Sequence, residues 1–147
     1  MKKIILFIII LLTFSGCSVQ DEYFKLECKK VVKTTDIADK IKKLITYNNH
    51  DVVTNVIITR TFTTKNDDGK DIIKNIKESM EDYNNDLISA AIKVSIKEDT
   101  ENKYKVVYYL DVENMTDLEL DTLDVDKDWL KYQKKLDSDN LKCQRKK

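Results

Sequence analysis

Two runs near the middle of the chain restrict its fold more than anything else in it. In "IKVSIKE", Ile92, Val94 and Ile96 alternate with Lys93, Ser95 and Lys97; in "YKVVYYLDV", Tyr104, Val106, Tyr108, Leu110 and Val112 fall on one side. A period of two is the signature of a half-buried strand, and the polar "DTENK" between the runs turns the chain back on itself. A hairpin with one apolar face is not stable alone and needs more strands or a helix to cover it. With 41% apolar and 35% charged residues, the chain can supply that cover within one globular body.

The rest of the chain offers the missing pieces. "YFKLECKKVV" places Phe24, Leu26, Cys28 and Val32 on one face and Lys25, Glu27 and Lys29 on the other, as in a strand. The stretch 37–45 is ambiguous locally. Ile37, Ile41, Leu44 and Ile45 fit a helical stripe capped by Thr35 or Asp36, yet "NNHD" reads as a hairpin turn into the β-branched "VVTNVIITRTFTT". We read residues 40–47 as extended, with Val52, Val56, Ile58 and Phe62 on one face of the following strand. From Asp71, the positions Ile72, Ile73, Ile76, Met80, Tyr83 and Leu87 predict one face of a helix that exits at Asn84-Asn85. "TDLE" at Thr116–Glu119 is a capping box. A second helix start is expected at Asp126, with Val125 and Leu130 as a hydrophobic staple and Trp129, Leu130, Gln133 and Leu136 as its stripe. The expected fold is α+β: an antiparallel sheet of about five strands, one long helix after the third strand, and a helical C-terminal segment on one face.

The N-terminus has a different character. Met1-Lys2-Lys3 precedes an apolar run from Ile4 to Leu12, which is too short to span a bilayer (about 20 residues are needed) and suits a signal peptide. Ser15-Gly16-Cys17 then resembles the bacterial lipobox, with Phe14 in place of the usual Leu. In that motif the cysteine is diacylated and becomes the mature N-terminus. The expected organisation is a signal peptide over 1–16, a lipidated tether over 17–22 and one domain over 23–147, outside the cytoplasm and anchored to the membrane through a diacylglyceryl Cys17. The alternative is an uncleaved anchor helix with an incidental cysteine. Cys28 and Cys143 remain, an even pair in an oxidising compartment, which favours a bridge over two buried free thiols.

The order of these signals resembles the small bacterial YehR-like lipoproteins, whose biochemical role is not established. The resemblance is carried by the lipobox cysteine, "FKLECK", "TYNNHDVVTNV", the helix and hairpin, "DVENMTDLELDTLDVDKDWLKYQKKL" and the closing "LKC". It covers Cys17 to Cys143, implies an extended chain through 40–47, and implies a Cys28–Cys143 bridge joining the ends of the body.

Chemistry is sparse. The single histidine, His50, falls in a predicted turn with no nucleophile around it, and no dinucleotide, P-loop or GxSxG motif is present. Asp124, Asp126 and Asp128 stand at the first, third and fifth positions of an EF-hand-like loop. Trp129 replaces the required glycine and Lys135 the closing glutamate, so helix capping explains these acids better than Ca²⁺. The chain thus suggests no enzyme, no cofactor and no metal. Basic and acidic residues balance at 26 each, and losing Lys2 and Lys3 leaves an acidic excess, which is not the footprint of a nucleic-acid binder. The body is also too short for two lobes around a cleft. Val107 and Tyr109 face away from the core set and are candidates for a partner surface, unless a helix or lysine stems cover them. The expected function is a non-enzymatic, membrane-anchored module for an unidentified protein or small ligand, the alternative being a structural or stress component of the envelope.

Overall fold

The computed structural model describes residues 21–146. The expected signal peptide, Cys17 and most of the tether lie outside the described residues. Strands β1 (Tyr23–Lys33), β2 (Ile37–Asn48) and β3 (Val53–Thr64) lead into helix α1 (Asp68–Leu87). Strands β4 (Ile92–Asp99) and β5 (Lys103–Asp111) follow. A 3₁₀ turn (Val112–Asn114), helices α2 (Asp117–Thr122) and α3 (Trp129–Ser138), and strand β6 (Lys142–Lys146) complete the body. All pairings are antiparallel, in the order β4-β5-β3-β2-β1-β6. The α+β class and the helix positions match the expectation, and the sheet gains a sixth strand from the charged tail.

Residues 37–48 are a strand, as the hairpin reading required. Asn48 makes the turn: its Oδ1 accepts from the backbone N–H groups of His50 and Val52, while Asp51 takes a positive φ of 59°. A bulge between Thr46 and Tyr47 shifts the register, so Val53 rather than Val52 enters the core. Val52 instead bridges to Asp128, and Trp129 N–H donates to the Asp51 carbonyl at 2.8 Å. These bonds fix the C-terminal segment to the β2–β3 turn.

One face of the sheet carries the core. Ile45, Val56, Ile58, Phe62, Ile92 and Leu110 project from it, and β5 adds Tyr104, Val106 and Tyr108. Helix α1 packs over β3, β4 and β5 through Ile73 and Leu87. The C-terminal helices cover the β1–β2 side, where Trp129 stacks on Tyr47 with centroids 4.3 Å apart and planes 6° from parallel. Burying a side chain such as Leu136 contributes about 1.5–3 kcal/mol. Among the described residues the core is drawn from between Phe24 and Leu141, so residues 21–146 carry a core of their own.

Three local expectations are corrected. Tyr83 is 41% exposed, whereas Asn84, read as the helix exit, is buried and accepts a 2.8 Å hydrogen bond from the Tyr108 hydroxyl, one turn before α1 ends. Helix α3 starts at Trp129, because Asp128 rather than Asp126 accepts from Lys131 N–H as cap. Its buried stripe is Trp129, Tyr132 and Leu136, which leaves Leu130 55% exposed. The Thr116–Glu119 capping box forms as read, with both reciprocal bonds present.

Candidate functional site

Among the described residues no helix covers the opposite face of the sheet, and strand periodicity decides what it displays. Residues two apart share a face, so β1 presents Lys25, Glu27 and Lys29 and β2 presents Lys40 and Lys42. β5 presents Lys103 and Lys105, β4 adds Lys93 and Lys97, and β6 adds Lys142 and Lys146. Between them β3 presents Thr59, Thr61 and Thr63. The register aligns these into rows, Lys42–Thr59–Val107 and Lys40–Thr61–Lys105, with Thr63 beside Lys103. The rows form the floor of an open, shallow groove of about 380 Å³. Ammonium groups flank a line of hydroxyl donors, an arrangement suited to anionic oxygen.

Charge is therefore segregated in a chain with no net charge. Acids outnumber bases in both helical stretches, 68–87 and 112–139. On the open face the carboxylates Glu27, Glu98 and Asp111 stand among the lysines. Glu98 pairs with Lys103 at 2.8 Å. Glu27 is 1% exposed, shielded by the lysine stems around it on the solvent side of the sheet. Its oxygens lie 2.5 Å from Lys29 Nζ, 2.6 Å from Lys42 Nζ and 3.5 Å from Lys146 Nζ. The Lys29 and Lys42 ammoniums, in that order, pull its carboxyl from the ordinary 4.5 down to about 2. Among the described residues, Lys40 and Lys105 have no carboxylate within salt-bridge distance.

The cysteines help to build this face. Cys28 and Cys143 are directly opposed in the β1–β6 pair with Sγ atoms 2.05 Å apart, at disulfide distance. The link holds a five-residue edge strand that is exposed along its whole length and makes no apolar contribution to the core. By fixing β6, it brings Lys142 and Lys146 alongside Lys29 and Glu27. On the core side, Lys43 pairs in register with Cys28 and is 8% exposed, its Nζ 5.3 Å from the Tyr132 ring centroid. Burial pushes its pKa down, against the pull of Asp124 and Asp139.

Val107 and Tyr109 lie on the open face, as their alternation implied, but they do not form an exposed pair. Val107 is 6% exposed, flanked in register by Thr59 and Ser95. Tyr109 is 38% exposed, with Lys97 Nζ 5.9 Å from its ring centroid. Among the described residues no helix lies over them, and neighbouring strand side chains flank them. Of the pair, only Tyr109 offers surface to a partner. The lysine face was missed because each strand's alternation was visible in the sequence while the strand order that unites them was not.

The other sequence candidates have local roles. His50 sits in the turn with Nε2 3.7 Å from Asp21 Oδ1. Asp124 pairs with Lys135 at 3.0 Å, Asp126 accepts from Asp128 N–H, and Asp128 caps α3. Among the described residues no group of His, Cys, Asp or Glu is placed to hold a metal ion, and no helix is long and apolar enough to cross a membrane.

Comparison with known proteins adds a fold and nothing more. No protein-family model and no curated protein matches the chain. A solved structure does resemble it: the NMR structure of a protein from Streptococcus pneumoniae TIGR4. The match has a TM-score of 0.53 and 10% identity, and covers 86% of this chain and 88% of that one. The shared feature is the architecture.

Proposed function

We propose that this chain is a bacterial lipoprotein of the YehR-like kind, anchored outside the cytoplasm through a diacylated Cys17, with a non-enzymatic binding module as its body. The observation that carries the reading is the Cys28–Cys143 pair at bonding distance. Disulfides persist in oxidising compartments outside the cytoplasm and are rare within it. This agrees with an N-terminal run that is too short to span a bilayer and ends at Ser15-Gly16-Cys17. Support for binding comes from a broad face of lysine ammonium groups and threonine hydroxyls, which together suit anionic oxygen. Metabolic labelling with a fatty acid tests the anchor. The wild-type chain should incorporate label, and Cys17→Ser should lose it and accumulate as a larger precursor. Label retained by Cys17→Ser would refute the reading.

A further inference from the structure

We infer that the open face of the sheet is a docking surface for anionic phospholipid headgroups, and that it lays the body flat on the membrane that holds its anchor. This rests on the lipid-anchor reading above for the body's position, and on the structure for the face. The cations are spread across the sheet. A pocket for a small anion would concentrate its cations at one point. Here lysines project from five of the six strands, across a sheet roughly 24 Å wide at the usual strand spacing. A broad, shallow cationic plane complements a planar array of phosphates.

The short tether constrains the orientation of the body. Five residues, 18–22, separate Cys17 from Tyr23, a span of at most about 21 Å when fully extended. A body tethered that closely must present some face to the headgroups. The helical face carries the acidic excess, so an anionic leaflet repels it and attracts the lysine face. Membrane attraction falls off within a Debye length, which such a tether keeps within reach.

The lysines of the two sides also differ in their pairing. Lys70, Lys77 and Lys135, in or beside the helices, are paired with Asp67, Asp99 and Asp124. Lys40 and Lys105, at the centre of the open face, face each other across Thr61. Glu27 offsets the repulsion among Lys29, Lys42 and Lys146 from beneath, leaving their charge in excess at the surface.

The test uses the body, residues 21–147, which lacks Cys17 and therefore reports on the face and not on the anchor. It should sediment with vesicles containing phosphatidylglycerol, not with phosphatidylcholine vesicles, and be released as salt is raised. Lys40→Glu with Lys105→Glu should weaken vesicle binding roughly tenfold or more, since each lysine near an anionic surface contributes a substantial share of the attraction. Lys74→Glu with Lys131→Glu, on the helical side, should leave it unchanged. Melting curves establish that both variants are folded. Binding indifferent to headgroup charge, or retained by the Lys40/Lys105 variant, would overturn the proposal. So would a body that ignores vesicles and binds soluble poly(glycerol phosphate), which would make the partner a polymer. Vesicle binding without fatty-acid labelling of the full chain would remove the anchor and leave the face; the reverse would remove the face alone.

Discussion

Lys146 meets Glu27 diagonally across the β1–β6 pair, Nζ to Oε2 at 3.5 Å, with Glu27 next to Cys28 and Lys146 two residues beyond Gln144, the register partner of Glu27. The last strand thus serves the open face through its charges and is held by a covalent bond rather than by apolar packing.

Opening that bond should therefore affect both stability and surface. The closed loop spans 115 residues, for which chain-entropy reasoning gives about 4–5 kcal/mol, while native disulfides more often contribute about 2–4. Replacing both Cys28 and Cys143 by Ser should lower the melting temperature measured by circular dichroism. It should also make Lys142 and Lys146 more reactive towards an amine-acylating reagent, with Lys74 unaffected.

Glu27 gives the fold a definite acid sensitivity. Its folded pKa of about 2 lies below its ordinary 4.5, so its contribution is fully present above pH 4.5 and is lost as pH falls towards 2. Denaturant midpoints measured across that window should fall for the wild-type body and fall less steeply for Glu27→Gln. The same slope in both would remove the assigned role of the lysine cluster.

Gly69 has a steric reason to be glycine. A Cβ there would lie 2.4 Å from the Asp36 carbonyl oxygen and 3.3 Å from Thr64 Cβ, so α1 would have to move off the β1–β2 connection. Gly69→Ala should destabilise by about 1–3 kcal/mol, as overpacking does, despite alanine's better helix propensity. Equilibrium unfolding measures this.

Val107 and Tyr109 should respond differently to Ser. Val107→Ser places a hydroxyl where the side chain is 6% exposed and should cost about 1–3 kcal/mol. Tyr109→Ser removes an exposed ring and its Lys97 contact and should cost about 0.5–1 kcal/mol. Equal losses in thermal unfolding would contradict the buried position of Val107.

The sequence was most legible where one face of an element is uniformly apolar. The β4–β5 hairpin and the Thr116 capping box needed only local spacing. Residues 37–45 were ambiguous because Leu44 lies on the open face and is half-buried there while Ile45 is in the core, so the apolar pattern serves both sides of the sheet. Asn84 was misread because a polar residue in a helix stripe signals an exit unless its partner is known, and that partner, Tyr108, belongs to another element. The lysine face was hidden for the same reason on a larger scale. Lys40 and Lys105 become neighbours of Thr61 only when β2 and β5 flank β3, an order that no window of sequence contains.

The intact mass of the protein extracted from bacterial membranes tests the proposed anchor at Cys17. The expected product is a mature chain that begins at Cys17, carries the mass of a diacylglyceryl group on that residue, and has Cys28 joined to Cys143. A chain that begins at Met1, or one that begins elsewhere and bears no lipid, would contradict it.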